Sequence, residues 1–140
     1  MGDDASERRW SDEELRHLSG LRELQICVLR AAGGCGPWTP IWVVVVDAGV
    51  YVRTWRRRET GWYGQARRSS SARIRVSGVP LDVSVTAVAG DRSDAVNEAY
   101  LGKYGAAGAR SMVTAEAVAT TLRLAPAGAA GGDRPQSSLG

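Results

Sequence analysis

The chain has 140 residues, a formal net charge of +3, one histidine and two cysteines. This length favours one domain, and the scarcity of histidine and cysteine argues against a histidine-based catalytic triad or a metal cluster. No apolar run approaches the roughly 20 residues of a membrane-spanning helix. The first nine residues lack the apolar core of a signal peptide. We therefore expect a soluble, cytoplasmic protein.

The first predicted element is a helix that begins after Ser11. Ser11 and Glu14 have the spacing of a capping box, Trp10 and Leu15 have that of a hydrophobic staple, and Gly20 is a stop residue. Residues 24–29 then alternate in the manner of a strand. The cysteines on either side of the following glycine-rich connector do not suggest a disulfide framework. We expect a buried Cys27 and a loop Cys35.

A β-hairpin over residues 41–55 is the strongest local prediction. Residues 41–46 form a short run rich in β-branched side chains, residues 47–49 have turn chemistry, and the chain returns as a second apolar strand. Because the first strand is apolar throughout, we expect it to be buried on both faces and central in its sheet. Gly49 is the residue of this turn that is able to take a positive φ.

Downstream of the hairpin, the pattern predicts a short helix over 62–68 and a second hairpin over 73–86 that turns at 78–80. Asp91 or Ser93 can cap a helix that ends before Gly105, with Tyr100, Lys103 and Tyr104 along one face. A helical turn over 114–118 and a strand over 120–124 follow. About six short strands and two or three helices predict a mainly β, α+β fold, a six-stranded antiparallel barrel.

The domain is expected to cover residues 11–125, between a flexible N-terminus over 1–10 and a disordered tail over 126–140. The tail consists mainly of Ala, Gly, Pro and Ser, and therefore cannot bury enough apolar surface to offset the entropy lost on ordering.

Positive charge is concentrated in one window of the sequence, which we call the arginine window. The planar guanidinium group suits bidentate contact with phosphate. A solvated charged face is the alternative explanation for such a run. The window contains one acidic residue, Glu59, and eight arginines: Arg53, Arg56, Arg57, Arg58, Arg67, Arg68, Arg73 and Arg75.

Five segments together resemble an uncharacterised bacterial family called "domain of unknown function 2255", over about residues 11–126. In order, they are WVVVV at 42–46, YVRT at 51–54, WY at 62–63, AYLGKY at 99–104 and TTLRL at 120–124. That family is similar to the flavin-binding split-barrel group, which includes pyridoxamine-phosphate oxidases and the deazaflavin-dependent reductases of actinobacteria. The resemblance implies a six-stranded antiparallel split barrel that forms a homodimer, with FMN or a deazaflavin between the subunits.

The resemblance also implies a cofactor site at the end of the first hairpin. Arg53 and Thr54 would contact the cofactor phosphate, and Trp62 or Tyr63 would pack near its ring. The arginine window adds Arg56, Arg57 and Arg68 as phosphate partners, and Trp55 as a further wall of the ring site. The chain departs from the deazaflavin reductases before Trp38, where residues 33–36 replace their glycine-arginine-serine run.

The function expected from this site is hydride transfer to or from a small organic substrate, with no catalytic residue assigned. Two alternatives stay open. A split barrel without catalysis could serve as a ligand-binding or accessory protein. Arginines interleaved with Trp55, Trp62 and Tyr63 could also bind single-stranded nucleic acid, although no nucleic-acid motif supports this. Nucleic-acid binding would weaken steeply with salt.

Overall fold

The computed structural model describes residues 9–28, 34–54, 61–88 and 92–127, so most of the predicted N-terminus and tail lies outside the described residues. No helix in these ranges has the length and apolar character needed to cross a membrane. The strands are β1 (Leu24–Cys27), β2 (Thr39–Ile41), β3 (Val43–Val46), β4 (Gly49–Val52), β5 (Ser71–Val76), β6 (Val79–Ala87) and β7 (Leu122–Pro126). The helices are α1 (Asp12–Gly20), α2 (Gly61–Ser69), α3 (Ser93–Tyr104) and α4 (Ala115–Val118), with a 3-10 turn over Arg110–Met112.

The sheet nearly closes on itself. Its strand order is β2-β1-β5-β6-β7-β4-β3, and all the pairs are antiparallel. The two strands at the ends of this order are separated in sequence by one residue, Trp42. Residues 39–46 therefore act as one bent strand that pairs with β1 at its start and with β4 at its end. Counted in this way the barrel has six strand positions, which confirms the predicted architecture.

The barrel interior is a continuous apolar core. The strands contribute aliphatic side chains that alternate along each strand, and burial of each contributes about 1.5–3 kcal/mol. Leu18 of α1 and Tyr63 of α2 join the same cluster. Trp10 is buried there as well, and its indole N–H donates to the Leu124 carbonyl at 2.9 Å. Both α1 and α2 are thereby anchored to the core.

Burial on both faces of the first hairpin is confirmed. Val43 lies in the barrel interior, whereas Val44 and Tyr51 face outward into a second cluster with Val96 and Tyr100 of α3. The predicted central position in the sheet is wrong, because β3 lies at the seam where the barrel closes. Helix α3 packs against the outer face of β3. This face is therefore buried although β3 is not central in the sheet.

The turn of this hairpin also differs from the prediction. The positive φ belongs to Asp47, at 54°, and Gly49 already pairs with Val46 as the first residue of β4. A glycine is required there for a different reason. A Cβ atom at position 49 would lie 2.8 Å from the ring of Tyr51, which is held beneath α3.

Most of the other local predictions are confirmed, with two corrections. The capping box of α1 is present, with bonds of 2.8 and 3.0 Å between Ser11 and Glu14. The second hairpin turns at Ser77 and Gly78, whose φ angles are 51° and 84°, one residue earlier than predicted. Ser93 does not cap α3, because Arg92 takes the cap position, and its side chain pairs with Asp47 and does not bond to the first turn of the helix. Asp91, the other predicted cap, lies outside the described residues.

The prediction that the two cysteines are unpaired is wrong. Cys27 is fully buried in β1, and it forms a disulfide with Cys35 across a Cα–Cα distance of 5.7 Å. The connector folds back on β1, as the bond from the Gly36 N–H to the Val28 carbonyl shows at 3.1 Å. This return of the chain brings the two cysteines together, and their spacing in the sequence does not reveal it.

Replacement of Gly49 tests the close approach of Tyr51. We expect Gly49→Ala to lower the free energy of unfolding by about 1–3 kcal/mol, because the buried ring of Tyr51 has little room to move. Gly20→Ala is the matched control, because nothing lies within 4 Å of an added Cβ there. Urea denaturation of both variants would contradict this role of Gly49 if their midpoints shifted equally.

Candidate functional site

Arg53 directly follows β4, and its guanidinium group lies inside the protein with the side chain only 1% exposed. Strand alternation directs it outward from the barrel, into the space beneath α3. Its Nε donates to Thr121 Oγ1 at 2.8 Å. Its Nη1 donates to Asn97 Oδ1 at 2.6 Å and to the Met112 carbonyl at 2.7 Å, and its Nη2 lies 3.5 Å from the Ser93 carbonyl.

The surroundings of Arg53 in the described structure contain oxygen dipoles and an aromatic ring in place of a carboxylate partner. Burial lowers the pKa of Arg53, but an arginine stays charged under all ordinary conditions. Its Cζ lies 5.5 Å from the centre of the Tyr100 ring, a cation–π distance. Burial raises the pKa of the Tyr100 phenol, and this hydroxyl has no hydrogen-bond partner among the described residues.

Thr54, the next predicted site residue, is fixed through its backbone. Its N–H donates to Thr120 Oγ1 at 3.0 Å, and the same hydroxyl lies 3.0 Å from the Thr54 carbonyl. Together with Arg53, this pairing attaches the end of β4 to the residues just before β7. Direct contact of Arg53 with a cofactor phosphate stays a prediction, and it would require some of these internal bonds to break.

Trp62 and Tyr63 lie together at the start of α2. Their ring centres are 6.0 Å apart and the rings are nearly perpendicular, at 87°. Tyr63 is buried in the barrel core, and Trp62 packs against that core while remaining partly exposed. Arg67 and Arg68 are exposed near the end of the same helix. Arg68 is six residues beyond Trp62, which places it about 9 Å along the helix axis.

The structure divides the described part of the arginine window between different sides of the barrel. Arg73 and Arg75 lie on β5, three strand positions away from β4 in the six-position barrel. Arg73 forms an exposed ion pair with Asp82 at 2.7 Å, and the Arg75 guanidinium lies 4.0 Å from the Trp38 ring centre. Neither can share a ligand with Arg53. The predicted site residues Trp55, Arg56 and Arg57 lie outside the described residues, as does Arg58.

A second cluster of polar and aromatic side chains lies where the barrel closes, and we call it the seam cluster: Arg22, Trp42, Lys103 and Tyr104. Lys103 Nζ donates to the carbonyls of Val43 at 2.7 Å and Leu18 at 3.2 Å. The rings of Trp42 and Tyr104 stack with their centres 4.1 Å apart. The Tyr104 hydroxyl donates to the Arg22 carbonyl at 2.6 Å.

The amine of Lys103 titrates below its ordinary range. Burial, followed by repulsion from Arg22, lowers its pKa from 10.5 to about 8. Helical spacing alone placed Lys103 on a face of α3 and did not indicate this environment. One sequence feature does distinguish it, because Lys103 is the one lysine among the 18 lysines and arginines of the chain.

Metal binding finds no support in the described ranges. No group of three or more histidine, cysteine, aspartate or glutamate side chains lies together there in a way that could hold an ion.

Replacement of Arg53 tests its structural role. We expect Arg53→Lys to lower the free energy of unfolding by at least about 2 kcal/mol, because an ammonium cannot reproduce the planar fork and would leave buried acceptors unpaired. Arg73→Lys makes the same chemical change in an exposed ion pair and should cost less than about 1 kcal/mol. Equal losses in denaturant unfolding would contradict the assignment.

The pKa of Lys103 predicts how stability depends on pH. The unfolded chain binds this proton more tightly than the folded protein, so the contribution of Lys103 to stability is poorest below about pH 8 and improves as the pH rises. The improvement should be visible up to about pH 10, above which the raised pKa of Tyr100 acts in the opposite direction. Lys103→Arg should lack the rise. Denaturant unfolding of both proteins from pH 7 to pH 10 checks this, and parallel stability curves would contradict it.

Comparison with known proteins identifies the family and supports the fold. A crystal structure of a conserved hypothetical protein from Mycobacterium tuberculosis has a TM-score of 0.50 and 15% identity, over 97% of this chain and 95% of that one. An FAD-binding protein from Mesorhizobium loti has a TM-score of 0.49 and 14% identity, over 86% and 91% of the two chains. No curated protein matches this chain. The model of the family described as "Uncharacterized protein conserved in bacteria (DUF2255)" matches residues 14–124, and the chain belongs to that family.

Proposed function

We propose that the protein binds a flavin-type cofactor, FMN or a deazaflavin, beside α2, and that it transfers hydride to or from a small organic substrate. The observation that carries this proposal is the combination of aromatic and cationic groups on α2. Trp62 is partly exposed against a buried Tyr63, and Arg67 and Arg68 are exposed further along the same helix.

The chemistry of these side chains fits a ligand that joins a flat ring to a phosphate. Indole and phenol rings stack against planar rings, and guanidinium groups pair with phosphate oxygens. Trp62 and Arg68 are about 9 Å apart along the helix axis and about 120° apart around it. One extended ligand would contact both by crossing the helix surface, with the long arginine side chain extending toward it. In this proposal Arg56, Arg57 and Arg68 neutralise the phosphate, and Trp55 and Trp62 border the ring. Tyr63 is buried in the core and supports Trp62 from beneath.

Arg53 and Thr54 act in this proposal mainly as positioning residues. Their bonds to Thr120, Thr121 and the 3-10 turn fix the point at which the chain leaves β4 toward the remaining cofactor residues. A fixed strand end reduces the entropy that a ligand must remove on binding. Direct contact of either residue with the phosphate is the alternative arrangement within the same proposal.

A bound flavin would itself supply the hydride chemistry. The residues of this chain would orient the cofactor, balance its negative charge and keep water from one face of its ring. In the proposed homodimer, a second copy of the chain would cover the other face. Cofactor binding without turnover of any substrate would correspond to an accessory, non-catalytic split barrel.

Titration with FMN and with a deazaflavin tests the proposal through quenching of cofactor fluorescence. We expect saturable binding, and we expect Arg68→Gln to weaken it about tenfold, because a charged hydrogen bond contributes about 1.5–3 kcal/mol. Trp62→Leu should weaken binding and shift the visible absorption of the bound cofactor. Arg16→Gln removes an exposed arginine from α1 and is the matched control, with an expected change below about twofold.

Two results would contradict the proposal. One is the lack of binding of either cofactor at up to about 100 µM, a concentration at which even a binding free energy of about −5.5 kcal/mol would give half-saturation. The other is equal weakening by Arg68→Gln and Arg16→Gln, which would show that only net charge matters. Tight binding of single-stranded DNA that falls steeply with salt, in the absence of flavin binding, would instead favour the nucleic-acid hypothesis.

A further inference from the structure

Lys103 is the one position at which this chain uses an amine side chain. Lysine and arginine together number 18, and the other 17 are arginines. The two residue types differ in one property that matters for chemistry. A guanidinium group does not lose its proton in proteins, whereas a lysine ammonium does so readily when it is buried or lies beside another cation.

The structure provides both of these conditions at Lys103. The side chain is partly buried at the end of α3, and its Nζ lies 5.4 Å from the centre of the Tyr104 ring. The Arg22 guanidinium lies 5.5 Å from the same ring centre. No described carboxylate forms an ion pair with Lys103. Arg22 and Lys103 therefore both lie beside the ring of Tyr104, and no described carboxylate neutralises the charge of the Lys103 amine.

A purely structural explanation for Lys103 also exists. Its Nζ connects the Leu18 and Val43 carbonyls to α3, and such bonds favour the charged amine. Burial and repulsion by Arg22 favour the neutral amine instead, and together they lower the pKa of Lys103 to about 8. The described titratable or charged groups that act on the cluster are Arg22, Glu23, Tyr104 and Tyr100, whose ring centre lies 6.0 Å from that of Tyr104.

We propose that Lys103 is a reactive amine that forms an imine with an aldehyde or ketone carrying a negative charge. Arg22, which is exposed, would pair with that charge. The stacked rings of Trp42 and Tyr104 would border the carbonyl compound. This site is separate from α2, so the proposed cofactor function neither requires it nor depends on it.

The reaction is balanced without an oxidant or a reductant. The lone pair of the neutral Nζ forms a bond to the carbonyl carbon, and the carbon–oxygen bond then breaks. Both amine hydrogens leave with that oxygen as water, and a C=N bond remains. Hydrolysis reverses the sequence.

The test uses the intact chain with pyridoxal 5′-phosphate as the probe, followed by borohydride trapping and peptide mass spectrometry. An Arg110→Lys variant places a second lysine at an exposed position and provides an internal reference in the same molecule. A pKa of about 8 leaves roughly a tenth of the amine neutral at pH 7, compared with less than about a thousandth for an ordinary lysine. We expect Lys103 to be modified at least about tenfold faster than the introduced lysine.

The pH profile provides a second readout that a structural lysine would not produce. Modification of Lys103 should level off above about pH 8, whereas that of the introduced lysine should continue to rise toward pH 10. Modification of Lys103 at or below the rate of the introduced lysine at pH 7 would overturn the proposal.

The role of Arg22 has its own test. Pyridoxal lacks the phosphate and also closes on itself as a hemiacetal, so the ratio of the two rates at the introduced lysine is the reference. At Lys103 the ratio should favour pyridoxal 5′-phosphate several-fold more than it does at that reference. Arg22→Gln should remove most of that difference, whereas Arg16→Gln, which removes an exposed arginine elsewhere, should retain it. Circular dichroism would establish that both variants are folded. The same rate ratio of the two aldehydes at Lys103 and at the introduced lysine would overturn the assignment of an anionic carbonyl compound.

Discussion

The buried guanidinium of Arg53 connects parts of the structure that the sheet alone does not join. It extends from the end of β4 to α3, the 3-10 turn and Thr121, the residue before β7. A fully buried charge is costly unless its donors are paired, and loss of one such group leaves several acceptors unsatisfied. The packing of α3 and of the turn over the outside of the barrel therefore depends on this side chain in addition to the outer apolar cluster.

This use of Arg53 changes how the positive charge of the chain should be interpreted. The arginines that are close in sequence are not gathered around one groove in the described structure. Arg53 supports α3 from within, Arg73 and Arg75 contact neighbours on the opposite side, and Arg68 stands exposed on α2. Arg75 contacts the partly exposed ring of Trp38, which belongs to a different part of the chain. Among the described elements of the window, α2 is the one that itself carries both a partly exposed aromatic ring, that of Trp62, and exposed arginines. For this reason the proposed cofactor site is centred on α2.

The architecture was largely readable from the sequence because local rules determined it. The capping box of α1, both hairpins and Gly105 as the end of α3 all follow from turn chemistry and alternation. Alternation also predicted the closing strand, over 120–124, and the structure has it at Leu122–Pro126. The closure of the barrel at Trp42 could not be predicted, because no sequence pattern marks a single residue at which one strand bends and changes its partner strand. The disulfide was not readable either, because the spacing of Cys27 and Cys35 does not by itself bring them together. The positive φ at Asp47 follows from the register in which β3 and β4 pair, which the turn residues alone leave open.

The candidate sites were less predictable, because the type of a residue does not reveal where in the fold its side chain lies. In the sequence, an arginine at the end of a strand looks the same whether its side chain faces a ligand or a set of buried oxygen acceptors. The polar Thr120 and Thr121, ahead of a closing strand, were the available sign that something buried there needed oxygen acceptors. Lys103 was marked only by its rarity in the chain.

Hydrogen exchange of the Arg53 Nε–H, observed by ¹⁵N nuclear magnetic resonance and assigned through Arg53→Lys, is the most direct measurement of the central interaction. A proton that donates to Thr121 at 2.8 Å inside the protein should exchange far more slowly than the Nε–H of exposed arginines such as Arg16 and Arg110. Exchange of the Arg53 proton at the same rate as those of Arg16 and Arg110 would show that the guanidinium reaches solvent, and would contradict the dependence of α3 packing on Arg53.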